Sequence, residues 1–163
     1  MELGTVTNFF SGVPADWIII ACIAAVFLID ALRVGSGRIA AFGISATLAV
    51  QVSAALGGAA FLGALSTQFS TPVLQAALFV VILIAVFLLI RRIAMDYGET
   101  GGQPIQALFA AVAASALVLL AWVQVPALHS VWDFGGGVKS MFGEAYRFWW
   151  LIGSLAALAF SKA

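Results

Sequence analysis

The sequence predicts an all-α integral membrane protein, a bundle of four to five transmembrane helices with the N-terminus outside. Of 163 residues, 64% are hydrophobic and only 9% charged, whereas soluble domains run near half apolar and a quarter charged. Mean hydropathy is +1.15. No charged residue occurs between Arg38 and Arg91, a stretch long enough for two crossings of ~30 Å hydrocarbon at about 20 residues each. The whole chain is read as one transmembrane domain.

The first span is expected over residues 15–34. Pro14 and Asp16 suit a helix start, where the ring's fixed φ and a negative charge near the positive helix end are both favourable, and Arg33, Gly35, Gly37 and Arg38 close it. No Lys or Arg precedes this run, so it lacks the positive leader of a cleavable signal peptide and is expected to stay in the mature protein. Cys22, the single cysteine, falls inside the run as a small packing residue.

The second span is expected over 39–65 and the third over 72–90, with the break at residues 66–72 and Arg91 and Arg92 as the stop. The two differ in texture. The second is rich in Gly, Ala, Ser and Thr, and helices in lipid associate through close backbone approach at small residues, so it is expected in the interior. Gly43, Ser53, Gly57 and Gly58 are its candidate packing positions. The third is nearly continuous Leu, Ile, Val and Phe and is expected to face lipid.

A polar, glycine-rich connection over 93–103 leads to a fourth span over 104–125, with Trp122 at interfacial height and Pro126 at its end. Residues 127–146 read as a surface loop with a short helix at the membrane interface. A fifth run over 147–161 is short, about 22 Å of helix; it reads as a span, with a partly re-entrant segment as the alternative. Trp149 and Trp150 would occupy one aromatic belt, and Lys162 would snorkel at the other end.

Orientation follows from the basic residues. Arg33, Arg38, Arg91 and Arg92 fall on one side of an alternating bundle, and the positive-inside rule makes that side cytoplasmic. Lys139 and Arg147 then lie outside.

Few residues carry chemistry. Asp30 and Arg33 are three apart on one helix face, so an ion pair is available there, and an acid in a span is a candidate for an ion or proton path. Gln51 is the other polar candidate within a span. His129 is the only histidine, and with no metal-ligand spacing around it reads as a solvated loop side chain. No nucleophile elbow, zinc-protease motif or phosphate-binding loop occurs, and Gly135, Gly136 and Gly137 form a flexible turn. Enzyme chemistry, a cofactor and a metal are therefore not expected. Seven Lys and Arg balance seven Asp and Glu, which gives no basic stripe for nucleic acid. The chain is also too short for the repeated broken helices of a secondary transporter. The expected partners are the lipid bilayer and either further copies of the chain or a membrane complex; an oligomeric, holin-like pore and a small accessory subunit are the alternatives.

Asp16-Trp17-Ile18-Ile19-Ile20 at the start of the first span, followed by Arg33-Val34-Gly35-Ser36-Gly37-Arg38 leading into a small-residue helix, resembles the opening of the colicin V production protein family. Arg91-Arg92, a polar stretch and a small-residue fourth helix extend the likeness over about residues 15–125. Ala107, Ala110 and Ala111 stand where that family has a glycine-rich entry, and its first turn is tighter. The resemblance implies a bacterial inner-membrane protein, not an enzyme, acting through membrane assembly in toxin export or envelope homeostasis.

Overall fold

A computed structural model describes residues 14–56, 71–93 and 104–161. Its elements are α1 (Ala15–Val34), α2 (Ser36–Leu56), α3 (Pro72–Ile93), α4 (Pro104–Gln124), a 3₁₀ turn (Pro126–Ser130), α5 (Gly136–Met141) and α6 (Glu144–Phe160). Among the described residues there is no strand. The helices α1 to α4 are each long and apolar enough to cross a membrane.

The first span starts and ends where the sequence places it, and the reason it ends is one residue. Gly35 adopts φ 103° and ψ 155°, and its N–H donates to the Ala31 carbonyl at 3.0 Å. One glycine thus reverses the chain. α2 consequently begins at Ser36, three residues before the expected start, and Arg38 lies in its first turn rather than in a loop. The far part of the predicted second span, with Gly57 and Gly58, lies outside the described residues. α3 runs to Ile93, which places Arg91 and Arg92 in its last turn, where positive charge meets the negative end of the helix dipole.

The interior differs from the expectation. α4, not α2, is the enclosed helix: 61% of its most apolar stretch is buried, against 33% in α2 and 11% in α3. It packs on α1, α2 and α6, while α3 packs on the outside of α2. Alanine explains the placement. Ala107, Ala110, Ala111, Ala113, Ala114, Ala116 and Ala121 are buried together with Leu117, Leu119 and Leu120, because alanine combines a small side chain with the best helix propensity and lets neighbours approach from several sides. α2 buries one face only, at Ile39, Ala40, Ala41, Gly43, Ser45, Ala46 and Ala49. Of α3 only Ala76 and Phe79 are buried, which agrees with a lipid-facing helix.

Alternation gives the bundle two distinct ends. Phe42, near the start of α2, meets Phe27 of α1 at 5.5 Å and Phe87, near the end of α3, at 5.6 Å between ring centroids. The end with Arg33, Arg38, Arg91 and Arg92 is called the arginine end below. The fifth run traverses the bundle. Its helix begins at Glu144, and at its close the Ser161 carbonyl accepts from Ser36 Oγ at 3.4 Å, at the arginine end. α6 has 17 residues, about 25 Å of rise; Lys162 lies outside the described residues.

Residues 126–143 are not a simple surface loop. They fold as the 3₁₀ turn and α5, and Ala127, Leu128, Phe134, Val138 and Phe142 are buried against the helices. The predicted short helix is present, but it belongs to a packed cap over the end opposite the arginines.

Candidate functional site: polar residues at the two ends of the bundle

At the arginine end, the sequence-based pairing of Asp30 with Arg33 is not formed. Asp30 Oδ2 instead lies 3.6 Å from Arg38 Nε, because the reversal at Gly35 folds the first turn of α2 back beside the last turns of α1. Arg33 is exposed. The carboxylate is not a deeply enclosed acid: the Asp30 side chain is 31% exposed and that of Arg38 47%. An ion pair this open contributes roughly 0–1 kcal/mol. It ties the first turn of α2 to the last turns of α1. Arg91 and Arg92 are exposed at the same end.

Along α2 the candidate residues separate by face. Gly43 is buried, and a Cβ there would stand 3.1 Å from Ala114 Cα, 3.2 Å from its Cβ and 3.2 Å from Leu117 Cδ1. It is a close approach of α2 to α4. Ser53 is half-buried, and its hydroxyl donates to the Val50 carbonyl at 2.8 Å within its own helix. Ser45 and Ser115, both buried, donate likewise to the Ala41 carbonyl at 2.6 Å and the Ala111 carbonyl at 2.7 Å, each within its own helix. Gln51 is exposed on the outer side of α2. Asp30, Gln51 and Gly43 are thus not brought into one site.

The opposite end carries a latch that no sequence spacing announces. Asp16, in the first turn of α1, accepts the Gly135 backbone N–H on Oδ2 at 2.7 Å and the Trp132 indole N–H on Oδ1 at 3.2 Å. Trp122 in α4 in turn donates its indole N–H to the Trp132 carbonyl at 3.0 Å and packs edge-on against Phe134. Gly135 is required by this approach, since a Cβ there would lie 2.8 Å from Asp16 Oδ2. What reads as flexible glycine is a docking point. Beside it, Lys139 Nζ contacts Asp133 Oδ1 at 2.5 Å. The hydrogen bond from Lys139 holds the Asp133 carboxyl below its usual range, with the positive charge of Lys139 acting in the same direction.

Replacing Asp16 by alanine removes the acceptor of two N–H groups while leaving α1 intact. The latch is half-exposed, so the expected loss is about 1 kcal/mol. The check is faster hydrogen exchange at Gly135 with unchanged exchange at Gly35; equal protection at Gly135 in both proteins would show that the carboxylate does not hold the cap.

His129 also departs from the expectation of a solvated ring. Its Nε2 is buried and has no hydrogen-bond partner among the described residues. Among those residues no three His, Cys, Asp or Glu side chains are grouped to hold a metal ion. No family model, curated protein or solved structure matches the chain.

Proposed function

We propose that the chain is a multi-pass protein of a bacterial inner membrane that acts through assembly, with itself or with a partner membrane complex, rather than by catalysis. One observation carries this reading. Gln51 lies thirteen residues beyond Arg38 on α2, about 20 Å along the helix axis, and it is on the outside of the bundle. In a bilayer that depth is hydrocarbon, where an amide side chain without a partner is unfavourable by several kcal/mol and interhelical hydrogen bonds form instead. The side chain therefore asks for another helix.

Two further observations agree with it. The centre of the bundle is packed alanine and leucine, which favours a structural component over a single-chain conduit. Arg33, Arg38, Arg91 and Arg92 gather at one end, which supports a cytoplasmic arginine end and an N-terminus outside. The resemblance of this layout to the colicin V production family points to the purpose, toxin export or envelope homeostasis.

The test is the mass of the detergent-solubilised protein, with and without crosslinking in the native membrane. Wild type is expected to run as an assembly and Gln51→Leu to lose it, with helical content unchanged. A wild-type chain that is monomeric in membrane and detergent alike overturns the reading, as does an assembly indifferent to Gln51→Leu.

A further inference from the structure

Between α4 and α6 an open groove of about 660 Å³ runs along the outside of the bundle. Its lining includes the small residues Ala113, Ala116, Gly153 and Ala157, together with the aromatic rings of Phe109 and Trp149. Gly153 sets it apart from the α2–α4 contact at Gly43. At Gly43 a Cβ would strike α4, so this chain itself explains the glycine; at Gly153 a Cβ would meet nothing within 4 Å. A glycine inside a helix is unfavourable relative to alanine, and no contact with the described residues requires it. It leaves the floor of the groove open between α4 and α6.

The surroundings say what fits there. α4 is long and apolar enough to cross a membrane, so the medium against the groove is hydrocarbon rather than water. The volume suits one flexible chain: it lies within the ~300–1,000 Å³ of ligand cavities, whereas three turns of a helix about 10 Å across fill about 1,300 Å³. The wall at the cap end is preformed, because Trp150 donates its indole N–H to the Met141 carbonyl at 2.9 Å and stacks on Phe142 at 4.7 Å. Tyr146 and Trp149 stand at that end too, at the height where aromatic rings meet headgroups.

A cation stands at the same level. Arg147 is one turn before Trp150; its Nε is buried without a hydrogen-bond partner among the described residues, and its Nη2 is 3.8 Å from Glu144, beyond hydrogen-bond distance. A guanidinium with donors to spare complements a phosphate.

We propose that the α4–α6 groove binds one acyl chain of a phospholipid from the leaflet at the cap end, with Arg147 beside the lipid phosphate. The proposal is independent of the assembly reading, since it needs neither Gln51 nor a second copy.

The experiment is native mass spectrometry of the detergent-purified protein with added phosphatidylglycerol. One lipid per chain is expected to survive the activation that strips the detergent. Gly153→Leu, which fills the groove without striking its own chain, and Trp149→Ala, which removes an exposed wall, are each expected to lower retention about tenfold, with helical content unchanged by circular dichroism. Arg147→Gln is expected to lower retention of phosphatidylglycerol but not of a long-chain alcohol, which has no phosphate. Absence of a retained lipid in the wild type, or retention unchanged in Gly153→Leu and Trp149→Ala, overturns the proposal. So does disulfide-linked dimer formation by Gly153→Cys in a Cys22→Ser background, which would make the groove a contact between copies.

Discussion

Replacing Gly43 by leucine is expected to destabilise the bundle by about 1–3 kcal/mol or more, the range for forcing extra volume into a well-packed interior. The atoms in the way are a backbone Cα and Cβ at Ala114 and the methyl of Leu117. Both residues are fully buried, so neither side has space to yield, and α2 must move off α4. Gly43→Ala is the graded version of the same test, because one methyl requires only a few tenths of an ångström. In that background Leu117→Ala is expected to restore less than the whole loss: it removes the methyl contact at 3.2 Å but leaves the Ala114 backbone at 3.1 Å, and it opens a cavity of its own. Gly37 is the control. A Cβ there meets nothing, so Gly37→Ala is expected to be neutral or slightly stabilising through helix propensity. Thermal unfolding in one detergent, followed by circular dichroism, compares the set. Gly43→Leu melting with Gly37→Ala would show that α2 and α4 are not in contact at this point.

How much of this was legible in the sequence depends on the kind of signal each feature carries. The spans are legible because a charge-free stretch closed by arginines is a property of composition along the chain, and the helix starts and ends that lie among the described residues accordingly fall within about three residues of their expected places, the end of the second span lying outside them. Sequence spacing points Asp30 to Arg33 rather than to Arg38 for a definite reason. The i, i+3 rule describes a continuing helix, whereas Gly35 reverses the chain and presents Arg38 from the next one. The interior placement expected for α2 falls to α4 instead because alanine, more than glycine and serine, makes the packing surface here: Ala107 to Ala121 offers the neighbouring helices a smooth surface on several sides. α2 is apolar on all sides, so no periodicity could tell that Gly43 faces α4 while Gln51 faces out. The latch was illegible outright: Asp16 and Gly135 are 119 residues apart, and no local rule connects them. The cap left a faint signal, since Phe134, Val138 and Phe142 recur at helix-like spacing among the glycines that made the segment read as loop.

Substitutions at Gly35 are expected to have the next largest effect, and they discriminate between two kinds of backbone. With φ 103° and ψ 155°, Gly35 is not in the left-handed helical well that asparagine also enters. It lies close to the extended region at positive φ that is essentially glycine's own. Gly35→Ala and Gly35→Val are therefore expected to lose about 1–3 kcal/mol, and Gly35→Asn is expected to give no rescue. A Gly35→Asn protein as stable as wild type would mean that the turn uses the ordinary left-handed conformation. The loss is not that of the neighbouring ion pair, because Asp30→Asn removes only an exposed contact worth at most about 1 kcal/mol. If the two were the same effect, combining Gly35→Ala with Asp30→Asn would add nothing. Expected instead is near-additivity, since strain at Gly35 belongs to the backbone whether or not Arg38 finds its carboxylate, and the reversal it permits is what brings α2 alongside α1 in the first place.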